Sequence, residues 1–260
     1  NINKQHLNFL KKKTLDEVIK EDVGHLSNFT NIYIGKQKPR VFRRIKQNLK
    51  NNYSNQFYSN DWNLIKKNGE FYYRNKTFLI KLNTKYIHSR GLLENLCLAI
   101  KIALDLGLDK QIIVKTIPKI KFEARIQYLD KGRLINKLNR GEKLLIDGCH
   151  SETSALNFKQ YLKTLNVPLY GIWSMTKNKE PEKFISKFRG MFKKIVILPI
   201  KNESSSLPGP LLLKIAKKNK FETEIANSIG QALKKLTSKE KKVICVFGSL
   251  YLCGNVLSKN

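Results

Sequence analysis

The feature that most constrains this fold is a regular alternation of apolar runs with amphipathic segments, beginning near residue 125. Strand-type runs fall at Lys143–Asp147, Leu169–Trp173, Lys194–Pro199 and Lys242–Phe247. Helical spacing falls between them, at Glu152–Leu165, Glu180–Phe188, Pro210–Lys218 and Ser228–Leu236. The alternation predicts a parallel sheet with helices on both faces. In such a sheet, ligands sit at the carboxyl ends of the strands. Two predicted strands end in polar loops there, Asp147-Gly148-Cys149-His150-Ser151 and Gly248-Ser249-Leu250-Tyr251.

The first 120 residues follow a different rhythm. Leu15–Val23 has helical spacing, and Asn31–Ile34 reads as a short strand closed by Gly35. Val41–Leu49 reads as a basic amphipathic helix. Short β-type runs follow around Phe57, Leu64, Phe71-Tyr72-Tyr73 and Phe78-Leu79-Ile80, with a turn signal at Asn68-Gly69. Leu92–Leu106 is the most apolar helix and Gly107 closes it; a further helix starts at Asp109 and ends before Pro118. The expected division is 1–120 and 121–260, and 260 residues suffice for a core in each part. No apolar run approaches the roughly 20 residues that span a bilayer.

The net charge of +30 raises the question of a polyanionic partner. Basic residues are scattered and acidic ones interleave with them, so a solvated basic surface is expected rather than a nucleic-acid interface. Cys97, Cys149, Cys245 and Cys253 form no C-x-x-C pair, which argues for reduced thiols rather than zinc. The chain begins at Asn1 with no signal-peptide pattern, and its start is expected to be cut.

Four constellations carry possible chemistry. Asp147 and His150 leave one strand end three residues apart, where they could meet a nucleotide; alternatively, Asp147 caps the next helix and His150 lies on the surface. Arg125 sits between the two parts and could reach phosphate as a bidentate donor, or be one more cation in a basic chain. Asn95 is an amide in a leucine-rich helix; it could read an adenine edge, or face solvent. His6 precedes the acids Glu21 and Asp22 and could join them around a metal.

Together these segments resemble the folylpolyglutamate synthase/dihydrofolate synthase family, a branch of the Mur ligases. The family's D-H, T-L and E-K-A-G segments find Gln5-His6, Thr14-Leu15 and Glu21-Asp22-Val23-Gly24. Its N-A-A helix finds Glu94-Asn95-Leu96, and its hinge P-G-R or P-A-R finds Ala124-Arg125-Ile126-Gln127. Its L-D-G-x-H-N and G-S-x-Y find Ile146-Asp147-Gly148-Cys149-His150-Ser151 and Gly248-Ser249-Leu250-Tyr251.

The resemblance implies an α/β fold: a C-terminal Rossmann-like parallel-sheet domain after the truncated end of a Mur-type ATPase domain. It implies a monomeric cytoplasmic ligase in which ATP turns a folate or dihydropteroate carboxylate into an acyl phosphate, and L-glutamate attacks it. Asn95, Arg125, Asp147 and Tyr251 would contact ATP, His150 and Arg125 would serve catalysis, and His6 with Asp22 would hold Mg2+. Neither nucleic acid nor membrane is an expected partner. A Mur-type ligase acting on a cell-wall precursor is the alternative, and a basic nucleic-acid-binding protein a more distant one.

The departures are specific. The family's G-T-N-G-K-G-S phosphate loop is not found and is expected before Asn1, so ligase activity of this chain alone is expected to be negligible. Asp22 stands where the family has a lysine, Ser151 where it has asparagine, Gln5 for the aspartate of D-H, and Asn178-Lys179-Glu180 for D-K-D.

Overall fold

The structure, a computed structural model, describes residues 14–24, 26, 31–49 and 54–260. It divides into two compact units. One contains the chain up to Lys85 together with Arg90–Ile120, and the other contains Tyr86–Ser89 and Lys121–Asn260.

In the first unit, helix α1 (Leu15–Val23) is capped by the Thr14 hydroxyl, which accepts from the Glu17 N–H. Strand β1 (Asn31–Ile34), helix α2 (Pro39–Asn48) and strand β2 (Ser54–Phe57) form a βαβ unit, with β1 and β2 paired in parallel. Ile32 and Ile34 of β1 pack against Val41 and Ile45 of α2, Leu49 and Ile19 of α1. The arginines of α2 occupy its other side, as the amphipathic spacing predicts.

Strands β3 (Trp62–Lys67), β4 (Glu70–Asn75) and β5 (Leu79–Lys81) then make an antiparallel meander. Asn68 and Gly69, with φ of 51° and 80°, supply the hairpin turn that the dipeptide signals. Helix α3 (Arg90–Asp105) buries Leu93, Leu96, Cys97 and Ile100, and α4 (Lys110–Thr116) is capped by Asp109.

The second unit is built on six strands. They are β6 (Gln127–Leu129), β7 (Glu142–Asp147), β8 (Leu169–Trp173), β9 (Phe192–Ile197), β10 (Thr223–Ile225) and β11 (Lys242–Phe247). Their order across the sheet is β10-β9-β8-β11-β7-β6. All neighbours are parallel except β6, which runs antiparallel along β7. The sheet is therefore mixed rather than wholly parallel. Neither three-residue strand was expected, because three residues are too few to show a period.

Side chains alternate across this sheet. Val243, Cys245 and Phe247 of β11 face one core with α5 (Glu152–Leu162), α6 (Pro181–Ser186) and α7 (Gly209–Lys218). Ile244 and Val246 face the other core with α8 (Ile229–Leu236) and α9 (Leu250–Leu257). Every residue of β11 is buried, which is why it reads as an unbroken apolar run behind its first lysine. Phe247 stacks on Phe192 at 5.0 Å and meets Phe188 at 5.1 Å.

The topology places a switch point in the middle of the sheet. The chain passes from β7 through α5 to β8, steps outward to β10, and returns with β11 between β7 and β8. The carboxyl ends of β7 and β11, Asp147 and Phe247, lie side by side.

Candidate functional site

The site is built at those two strand ends. After Asp147 the chain turns through Gly148, Cys149 and His150 into α5. Ser151, not Asp147, caps that helix: its Oγ accepts from the Ser154 N–H, and Ser154 Oγ accepts from the Ser151 N–H. Asp147 is thus committed elsewhere. Its Oδ1 accepts from the Cys149 N–H at 2.8 Å and its Oδ2 from the Ile126 N–H at 2.9 Å, and the residue is only 6% exposed. Burial raises its carboxyl above the ordinary carboxylate range; the bonds from Cys149 and Ile126 and the Arg125 charge oppose that rise.

The residues around Arg125 form a short arch. Ala124 and Ile126 adopt left-handed φ of 52° and 50°, costly for an alanine and more so for a β-branched residue. The Ala124 N–H donates to Gln127 Oε1 at 2.8 Å. The Ala124 carbonyl accepts from the Gly148 N–H at 2.8 Å and from Arg125 Nη1 at 3.1 Å. The guanidinium lies over Gly148: a Cβ there would sit 2.8 Å from Arg125 Nη1 and would run into Leu250 Cδ2. A side chain at 148 would therefore have to push the ends of the Arg125 and Leu250 side chains aside.

At the neighbouring strand end, Gly248 has a φ of +106°, and a side chain there would collide with the Ser174 carbonyl. Ser249 caps α9 by accepting from the Tyr251 N–H at 3.2 Å. His150 Nδ1 lies 2.9 Å from the Gly148 carbonyl. A carbonyl can only accept, so Nδ1 donates that bond. Tyr251 is 60% exposed at the first turn of α9. The Arg125 guanidinium lies beside the start of α9 and next to the loop that leads into α5.

The fold brings Arg125, Asp147 and His150 to one edge of one unit, with Tyr251 on the adjacent helix. The remaining candidates fall in the other unit's part of the sequence. Asn95 is exposed on α3 of the other unit, on the side away from Leu93, Leu96 and Ile100. Asp22 is exposed in the last turn of α1, and His6 lies outside the described residues. Among the described residues no group of three or more His, Cys, Asp or Glu side chains could hold a metal, so these residues alone do not fit a magnesium site. Gln127 and Leu250 were not singled out from the sequence, since a polar side chain bonding three residues back leaves no periodic signal.

All four cysteines are buried free thiols. Burial pushes the Cys97 and Cys253 thiols up to about 12, which makes them poor nucleophiles. No helix among the described residues is long and apolar enough to cross a membrane.

Comparison with known proteins agrees with this fold. Residues 133–259 match the family model of the dihydrofolate synthetase C-terminal domain. Folylpolyglutamate synthase from Thermotoga maritima is similar with a TM-score of 0.76 and 20% identity, over 94% of this chain and 57% of that one. E. coli FolC, in a complex with DHPP and ADP, gives 0.78 and 15%, over 99% and 59%. The bifunctional folylpolyglutamate synthase/dihydrofolate synthase of Yersinia pestis, complexed with AMPPNP and Mn ion, gives 0.73 and 12%, over 95% and 57%. A search of the curated proteins finds no match. The chain spans less than two thirds of the length of these structural relatives. Residues 133–259 therefore form a domain similar to the dihydrofolate synthetase C-terminal domain, and the chain shares the fold of part of the folylpolyglutamate synthases.

Proposed function

We propose that this chain supplies the C-terminal Rossmann-like domain, residues 121–260, and the end of the ATP-binding domain, residues 1–120, of an ATP-dependent ligase that adds L-glutamate to dihydropteroate or tetrahydrofolate. The observation that carries this reading is the Arg125 guanidinium held over Gly148 beside the start of α9. A fixed cation at the carboxyl edge of a switch point suits a phosphate, and Arg offers it two parallel N–H donors.

In this reading Arg125 steadies the phosphoryl group as it passes from ATP to the substrate carboxylate, and no covalent chemistry is asked of the protein. The acyl phosphate then gives up phosphate to the attacking glutamate amine. His150 is the group assigned to that amine. Asp147 fixes the arch, and an oxygen with lone pairs to spare takes a ribose hydroxyl. Tyr251 lines the nucleotide, and Asn95 reads the adenine edge from the ATP-binding domain. His6 and Asp22 are the magnesium ligands proposed by resemblance; Asp22 alone lies among the described residues, and one carboxylate does not make a site. The ligase acts as a cytoplasmic monomer.

The test is ADP binding to this chain by calorimetry. Losing a charged, bidentate partner should weaken binding about tenfold or more in Arg125→Ala. Equal affinity in wild type and variant, with the fold intact, rejects the phosphate role of Arg125.

A further inference from the structure

The arch around Arg125 crosses from one core of the sheet to the other. Ala124 is buried in the core on one face of the six-stranded sheet, and Ile126 in the core on the other. Three residues thus carry the chain across the carboxyl edge, and the middle one is Arg125. A crossing this tight forces both flanking residues into the left-handed region, at φ of 52° and 50°. Such strain persists only where the surroundings over-determine it.

Two side chains do so. Gln127 is locked into the β6–β7 ladder opposite Ile146, and its Oε1 takes the Ala124 N–H at 2.8 Å. Asp147 ends β7, and its Oδ2 takes the Ile126 N–H at 2.9 Å while Oδ1 takes the Cys149 N–H. Each strained residue therefore has its amide fixed by a side chain anchored in the same pair of strands. The Ala124 carbonyl is held in turn by the Gly148 N–H and by Arg125 itself.

We infer that Gln127 and Asp147 are positioning residues that clamp the Ala124–Ile126 arch across the sheet edge, so that the Arg125 guanidinium is preset over Gly148 before any anion arrives. An arginine on a relaxed loop would lose conformational freedom when it binds; one on a clamped arch has lost it during folding. The clamp itself is independent of the ligase reading, and only its effect on anion binding rests on Arg125 meeting phosphate.

The test uses this chain, with inorganic tripolyphosphate as the anion. The variants are Gln127→Ala, Gln127→Glu, Asp147→Asn and Arg125→Ala. Amide exchange should quicken about tenfold or more at Ala124 in Gln127→Ala and, because asparagine keeps only one acceptor oxygen, at Ile126 or Cys149 in Asp147→Asn. In both, the Arg125 Nε–H resonance should move to the position of a mobile arginine, and tripolyphosphate should bind about tenfold more weakly. Gln127→Glu keeps an oxygen acceptor for the Ala124 N–H and should restore slow exchange there.

Wild-type exchange and resonance in both Gln127→Ala and Asp147→Asn overturn the clamp. A loosened arch with wild-type tripolyphosphate affinity overturns its role in presetting Arg125. If Arg125→Ala binds tripolyphosphate as well as wild type does, the phosphate reading fails and exchange with resonance alone decides the clamp. Should Asp147→Asn fail to fold, the Gln127→Ala and Gln127→Glu pair is decisive.

Discussion

The two units solve the same packing problem on different scales. The second covers one six-stranded sheet on both faces, with β11 buried along its whole length between two cores. The first, among its described residues, divides its strands between a parallel pair and a three-stranded meander. A two-stranded sheet is marginal by itself and depends on the helices packed against it, here α1 and α2. The lesson is that side chains deep inside the larger sheet should control one unit's stability almost alone, while in the smaller unit the helices share that control.

The largest effects should come from the aromatic stack. Phe247→Ala removes the ring that meets Phe192, Phe188, Phe184 and Phe158, and should cost about 3–5 kcal/mol. Ile45→Ala should cost about 2–5 kcal/mol, in the first unit. Hydrogen exchange in increasing urea should show each loss confined to its own unit; equal destabilisation of both units by either change would show one cooperative block and break the comparison.

A second test concerns charge inside the larger unit. Lys242 and Glu142 are buried side chains 3.3 Å apart at the opposite end of the sheet from the candidate site. Lys242 also bonds the Leu236 carbonyl and Ser238 Oγ and lies 4.3 Å from the centre of the Tyr170 ring. Glu142 accepts from the N–H groups of Asn139 and Ser238. Lys242→Met leaves that carboxylate buried without its cation and should cost about 3 kcal/mol. The double change Lys242→Met with Glu142→Leu should recover part of this loss in thermal melts. A double variant as unstable as the sum of its parts would show that the pair is not coupled.

The smallest effect should come from pH. His88, in the short segment assigned to the second unit, packs against Tyr128 and Tyr161 at 6.1 Å and 5.9 Å. Desolvation lowers its pKa below the ordinary 6.5, so docking favours the neutral ring. A depressed histidine contributes stability that is complete above the unfolded value and is lost as pH falls below it. Protection factors at residues 86–89 should therefore fall several-fold between pH 7.5 and pH 5, and His88→Phe should remove that dependence. A slope that survives in His88→Phe would place the titration on another group.

Much of the second unit was legible in advance. β7, β8 and β11 are long enough and apolar enough to declare themselves, and Asn68-Gly69 named its own turn. The strand-end loops pointed to the candidate site because the carboxyl edge of such a sheet is fixed by chain direction. Strand β6, its antiparallel course and β10 were not legible, because three residues carry no period. Asp147 was read as a ligand contact or a helix cap; its visible commitment is to the Ile126 and Cys149 amides. No local pattern ties Asp147 to a residue twenty-one positions earlier.

By itself, the sequence determined the alternation that makes a doubly covered sheet and the loops that end its central strands, because periodicity and burial are local properties of a chain. Only the tertiary structure decided that β11 inserts beside β7, that Ala124 and Ile126 enter opposite cores, and that Arg125 rides the edge between them. Those outcomes depend on which surfaces meet across long separations, where packing and hydrogen bonding override the conformational preference of any single residue.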